Sequence, residues 1–155
     1  MNTKQQKIVA TNRKALRDYQ IIETYEAGIS LQGSEVKSLR NHKCSLDGSF
    51  CRIENGEVFA YNVFIPEFEK SSFFKHNPRR EKKLLLKRKE IHKLMGFLTK
   101  KGYTLIPLKI YFKRGWAKME IALCKGRKKY QKKQIIKQRD IEREIKRELS
   151  KYRSF

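Results

Sequence analysis

No pair of residues limits the fold of this chain more than Asn55-Gly56. Type I′ turns need positive φ at both central positions, and Asn-Gly is the dipeptide that tolerates this best. Here the pair lies between two apolar-rich stretches, Phe50 to Ile53 and Val58 to Ile65, so it predicts an antiparallel β-hairpin. A second hairpin is predicted over Thr104 to Leu123, where Leu105 to Phe112 and Trp116 to Leu123 flank Lys113-Arg114-Gly115. Pro107 has no N–H to give a ladder, which places its strand at an edge or a bulge.

The rest of the chain reads as shorter pieces. Residues 1 to 17 are polar and basic without a sustained period, so the first dozen are expected to be mobile and order to begin near Asp18. From Asp18 to Glu26, Tyr19, Ile21 and Tyr25 fall on one alternating face, which predicts a strand that Ala27-Gly28 punctuates before Ile29-Ser30-Leu31 resumes it. Ser34 is positioned as the N-cap of a short helix over Glu35 to Arg40. Ile91, Leu94, Met95 and Leu98 follow helical spacing until Gly102, a natural C′ residue. About six strands and two or three short helices, with no βαβ rhythm, predict a mainly β fold. The fitting architecture is a small, closed or nearly closed antiparallel barrel of OB type with helices plugging its ends. The expected organisation is a flexible N-terminus (1–11), the barrel (12–126) and a basic tail (127–155).

Charge says what such a body would meet. Against 16 Asp and Glu the chain sets 38 Lys and Arg, a formal net charge of +22 over 155 residues, and such an excess points to a polyanion, nucleic acid first. From Lys125 to Phe155 there are 13 basic and 4 acidic residues. Within that tail Ile141, Ile145, Leu149 and Tyr152 form a narrow stripe at helical spacing, supported by Glu142 with Lys146 at i,i+4. One narrow stripe buries little, and a lone helix of this length is marginal in water. The tail from about Lys128 is therefore expected to be disordered in the free protein and helical on a phosphate-rich surface.

Catalytic chemistry finds little support. Asp18, Asp47 and Asp140 are the only aspartates, and the glutamates mostly adjoin Lys or Arg, so no paired-carboxylate metal site stands out. His42, His76 and His92 belong to no metal-binding pattern, and the scattered glycines form no phosphate-cradling loop. Cys44, Cys51 and Cys124 make an odd number without a C-x-x-C pair, which predicts small buried residues of a reducing cytoplasm. The N-terminus has no apolar leader core, and no apolar run approaches a membrane span. The expected protein is cytosolic and monomeric, without cofactor or metal and with no membrane attachment.

Two basic clusters carry more information. Pro78-Arg79-Arg80-Glu81-Lys82-Lys83-Leu84-Leu85-Leu86-Lys87-Arg88-Lys89 follows Phe73-Phe74-Lys75-His76, placing cationic forks beside flat rings, as phosphate binding with stacking requires. Gly126-Arg127-Lys128-Lys129-Tyr130-Gln131-Lys132-Lys133 surrounds one aromatic with cations after a flexible glycine, so it could clamp a backbone while Tyr130 stacks on a base. Either cluster could instead be a solvated face. A generic single-strand-binding OB protein is the alternative reading within the same class, and a metal-dependent nuclease the alternative from another.

Several ordered blocks resemble one family. Asn12-Arg13-Lys14-Ala15, Tyr25-Glu26-Ala27-Gly28-Ile29, Gly33-Ser34-Glu35-Val36-Lys37-Ser38-Leu39-Arg40, Pro78-Arg79-Arg80 leading into Lys83-Leu84-Leu85-Leu86, Gly102 to Leu108, and the Gly126 cluster are similar to the small protein B family. These are the SsrA-binding proteins that partner bacterial transfer-messenger RNA. The resemblance implies an OB-like barrel that catalyses no reaction, grips the tRNA-like domain of that RNA and delivers it to stalled ribosomes. It further implies a tail that turns helical in the message channel of the small subunit, near the decoding centre. Carried over by position, it makes Asn12, Arg13, Lys14, Glu26, Lys37, Arg40, Arg79, Arg80, Lys82, Lys83, Leu85, Arg127, Lys128 and Lys129 the expected RNA-binding residues. Tyr130, Lys132, Lys133, Ile141, Ile145 and Leu149 become the expected ribosome-engaging residues of the tail. Gln131 and Lys133 depart from the family's usual Asp-Lys-Arg triplet, and Lys82 replaces a common Arg.

Overall fold

Both hairpins close through two left-handed residues, Asn55 (φ 52°) with Gly56 (φ 73°), and Arg114 (φ 52°) with Gly115 (φ 80°). The structure, a computed structural model, describes residues 6–67, 77–127 and 129–153, without the side chains of 129–135 and 151–153. The order is β1 (Gln6–Thr11), α1 (Arg13–Asp18), β2 (Tyr19–Ile29), α2 (Gly33–Arg40), β3 (Phe50–Glu54), β4 (Glu57–Tyr61), β5 (Lys82–Leu85), α3 (Arg88–Leu98), β6 (Tyr103–Lys113), β7 (Trp116–Gly126) and α4 (Lys129–Arg153). All pairings are antiparallel, and six strands close a ring in the order β6-β3-β4-β5-β2-β7, because β7 pairs back to β6. The ring is held lightly at one seam, where Cys51 opposite Leu105 is the only register pair of β3 with β6. β1 lies on the free half of that same edge of β6.

Two bulges divide the interior. Register shifts between Ile21 and Glu23 in β2 and between Pro107 and Lys109 in β6 each reverse which face the strand buries. On one side of the shifts Tyr25, Ala27, Ile110, Met119 and Ile121 join the main core inside the ring. On the other, Ile106, Leu108, Ala122 and Cys124 turn outward and are covered by Ala15 and Leu16 of α1. Pro107 thus sits where a missing N–H does least harm. Cys51 and Cys124 are buried, Cys44 half-buried, and all three are unpaired.

Several expectations need correction. The sheet has seven strands, since both Gln6–Thr11 and Lys82–Leu85 pair. Neither segment announces itself locally; each is a strand because an open edge receives its backbone groups. Order therefore begins well before Asp18. The cap of α2 is Gln32, whose N–H donates to Glu35 Oε1 at 2.8 Å, and Ser34 lies inside the helix. The tail forms the helix α4, with Gln138 donating to Glu142 at 3.5 Å across one turn. Its described side chains from 136 to 150 are all exposed.

Candidate nucleic-acid interface

Strand register builds the site. Leu85 lies opposite Gly28, Gly28 opposite Lys118, Lys118 opposite Tyr111 and Tyr111 opposite Ile8, a row crossing β5, β2, β7, β6 and β1. Since Ala27 and Met119 face the core, alternation turns this row outward. Leu85 is 57% exposed, an apolar ledge beside a depression of about 570 Å³ lined by Glu26, Gly28, Lys83, Leu85, Lys87 and Lys118. Gly28 puts no side chain between Leu85 and Lys118, so backbone forms the floor there.

Three carboxylates line the depression: Glu57 pairs with Lys83, Glu90 accepts from Lys87 N–H, and Glu26 is held by Tyr111 and Lys113. Tyr111 donates its hydroxyl to Glu26 Oε2 at 2.5 Å, and Lys113 Nζ stands 3.4 Å from the same oxygen. The Tyr111 hydrogen bond first, then Lys113, hold the Glu26 carboxyl below its ordinary value of 4.5. Burial and the neighbouring carboxylate push the Tyr111 phenol upward, so it stays a donor. Glu26 Oε1 makes no hydrogen bond within the described residues. A fixed acceptor ringed by cations can take a proton donor from a base or a ribose hydroxyl while Lys83, Lys87 and Lys118 meet phosphate. Because the Glu26 pKa is lowered on folding, its contribution is complete above the unfolded value and fades as pH falls through the folded one. In Tyr111→Phe the carboxyl midpoint of Glu26, followed by NMR, should rise towards 4.5; an unmoved midpoint would show that the phenol does not hold it.

The family model for the SmpB protein matches residues 9–151. The chain belongs to the SmpB family. It is 54% identical over 140 residues to the SsrA-binding protein of Sulfurihydrogenibium sp. strain YO3AOP1, covering 90% of this chain and 92% of the relative. It is 53% identical over 146 residues to the SsrA-binding protein of Caldicellulosiruptor bescii, with 94% and 92% covered. A solved structure described as "tmRNA-SmpB: a journey to the center of the bacterial ribosome" is similar with a TM-score of 0.66 and 50% identity, over 77% of this chain and 85% of the other.

Within this SmpB-family fold the expected RNA-binding residues separate into groups. Glu26, Lys83 and Leu85 meet at the depression just described, where Lys83 also pairs with Glu57 at 3.0 Å. Arg13 and Lys14 are exposed on α1, Lys14 standing 4.0 Å from Asp47, and Lys37 and Arg40 are exposed on α2. Arg79 is exposed with its guanidinium 5.1 Å over the Phe64 ring. Arg127 is drawn towards α1, its Nε donating to Tyr19 O at 3.2 Å. Lys128 and the side chains of Lys129, Tyr130, Lys132 and Lys133 lie outside the described residues. Ile141, Ile145 and Leu149 are each at least half exposed.

Three of the expected residues are held in structural contacts, Lys82 and Asn12 buried and Arg80 partly exposed. Lys82 is fully buried, donating to Val63 O at 2.9 Å and Arg80 O at 2.6 Å and standing 3.8 Å from Glu35 Oε2. Its ammonium cannot reach RNA. Burial pulls its pKa down, opposed by Glu35. Arg80 donates Nη2 to Glu35 Oε1 at 2.5 Å and Nη1 to Glu81 O at 3.0 Å. Asn12, 3% exposed, accepts from Ala15 N at 3.1 Å and donates to Pro107 O at 3.0 Å and Leu46 O at 3.3 Å. It caps α1 and ties it to β6, presenting Arg13 and Lys14. Sequence reading placed Lys87 in the basic cluster but missed Tyr111, Lys113 and Lys118. The two-residue turn at Arg114-Gly115 was the available signal, since it sets the register that aligns Tyr111 with Lys118.

Among the described residues no group of three His, Cys, Asp or Glu side chains is placed to hold a metal ion.

Proposed function

We propose that this protein is a non-enzymatic, cytoplasmic RNA-binding factor that takes the tRNA-like domain of transfer-messenger RNA and brings it to stalled ribosomes for trans-translation. The carrying observation is the outward row through Leu85, Gly28 and Lys118 with the held carboxylate of Glu26, in a chain of the SmpB family. We read the six-strand ring as an OB-like barrel, whose outer strand face and loops are suited to RNA. Its relatives are SsrA-binding proteins, and the face has the parts such a role needs: an apolar ledge, cations and one fixed acceptor.

The tail would engage the ribosome separately. A 25-residue helix with every described side chain exposed, touching the rest of the fold at α1, draws much of its stability from local terms, and those are marginal. In the free protein it would exchange with unfolded states; beside the decoding centre, in the message channel, RNA phosphates would turn its cation repulsion into attraction.

A competition experiment tests the reading. Labelled transfer-messenger RNA bound to the protein should be displaced by the same unlabelled RNA and resist an equal mass of poly-U. Equal displacement by both would establish a generic single-strand binder instead.

A further inference from the structure

The end of the ring where β1, α2 and the β6–β7 hairpin meet carries a second depression, of about 720 Å³, with Lys7, Arg40, His42 and Arg114 around an apolar floor of Leu39 and Phe112. No carboxylate lines it. Several cations elsewhere are matched, Lys83 by Glu57, Lys93 by Glu23, Lys109 by Glu120 and Lys113 by Glu26. Lys7, Arg40, His42 and Arg114 make no ion pair among the described residues. Like charges gathered in a concavity repel one another and focus a positive potential outward, which suits an anion.

Backbone conformation singles out the same place. Four described residues other than glycine have positive φ: His42, Asn55, Asn62 and Arg114. Asparagine and histidine adopt this region more readily than other L-residues, so of the four only Arg114 does so at some cost. The two that are not asparagine, His42 (φ 55°) and Arg114 (φ 52°), both line this depression. Arg114 thus holds a turn position where Asn or Gly would be easier, and its cation faces this depression.

Next to Gly115 on the hairpin is Trp116, 74% exposed, more than any other large apolar side chain described. It lies opposite Lys113, hence on the outward face, and is two residues from Lys118 of the first depression, roughly 7 Å along a strand. An unpacked indole beside arginines is a stacking platform for a base, and a pocket of this size accommodates a nucleotide-sized group.

We infer that this end of the ring is a second RNA contact, which receives backbone phosphate among Lys7, Arg40, His42 and Arg114 and stacks an unpaired base on Trp116. The inference rests on the RNA-binding function proposed above and extends that surface from the Glu26 face around the hairpin tip.

Trp116 is the chain's single tryptophan, so its emission reports this site alone. Full-length protein is titrated with transfer-messenger RNA, and the same samples are run as a gel shift. Emission should fall in step with complex formation, and Trp116→Ala should weaken binding about tenfold. The double variant Arg40→Gln, Arg114→Asn should reduce the slope of log affinity against log salt by roughly 0.7–0.9 for each lost phosphate contact. Its thermal midpoint should not fall, since neither side chain is buried. A shifted complex with unchanged emission, or an unchanged salt slope in the double variant, overturns the second contact and leaves the RNA-binding function standing. Absence of a shifted complex overturns both.

Discussion

Cutting the chain after Arg127 should leave folding stability and most of the RNA affinity intact while abolishing rescue of stalled ribosomes. The cut belongs after Arg127 because its N–H donates to Asp18 O at 2.9 Å and its Nε to Tyr19 O, contacts that close the ring beside α1. Beyond it, the described side chains from 136 to 150 are all exposed. Among the described residues removing them uncovers no core side chain, and exposed substitutions away from special features typically change stability by less than about 0.5 kcal/mol. The Glu26 face is untouched. What is lost is a 25-residue helix whose Ile141, Ile145 and Leu149 have no partner surface in the free chain. A denaturation curve, a gel shift and a reconstituted tagging assay would separate these effects. Tagging by the shortened protein at the full rate would refute a ribosomal role for the tail.

Replacing Glu35 with Ala should destabilise the domain by about 3–5 kcal/mol, a large fraction of what a domain of this size has. Glu35 and Lys82 are both fully buried. The carboxylate serves Gln32 N–H at the start of α2, Arg80 and the ammonium of Lys82, so truncation leaves a buried cation without its counter-charge and a helix without its cap. Glu35→Leu with Lys82→Met should recover part of the loss, because removing both charges removes the uncompensated one, though Val63 O and Arg80 O then lose their donor. Urea unfolding of the two singles and the double would measure this. A Glu35→Ala loss below about 1 kcal/mol would show that water or rearrangement neutralises Lys82. Arg80 is part of this network, so a variant lacking both Arg79 and Arg80 would mix lost RNA contact with lost stability, and Arg79 is the cleaner probe of binding.

The extent to which this could be foreseen varied with the reach of each interaction. Asn55-Gly56 announced a hairpin because its signal is a backbone preference of two adjacent residues. Ile91, Leu94 and Leu98 announced α3 through spacing, although the helix ends at Leu98 with Thr99 as its cap, before Gly102. Glu26 and Leu85 were reached through family likeness, since nothing local distinguishes Glu26 from other glutamates flanked by apolar residues. Lys82 was misassigned for a related reason: in a run of Arg, Glu and Lys, composition gives no sign of which cation folds inward. The alternation of β5, Lys82 inward and Lys83 half-exposed, followed from pairing with β4 and β2, and those partners lie 22 or more residues away.

What the chain by itself determined was therefore local or global in kind: the turns, the helical periods, the excess of positive charge and, through that excess, an anionic partner. Dihedral preferences act between neighbours, and net charge needs no arrangement at all. The tertiary structure alone decided which side chains share a surface. Ring closure brought Leu85, Gly28, Lys118 and Tyr111 into one row, buried the Glu35–Lys82 pair, and set Arg40 and His42 beside Arg114. Such proximity depends on strand register and on two bulges, and a shift of one residue would send each of these side chains to the opposite face.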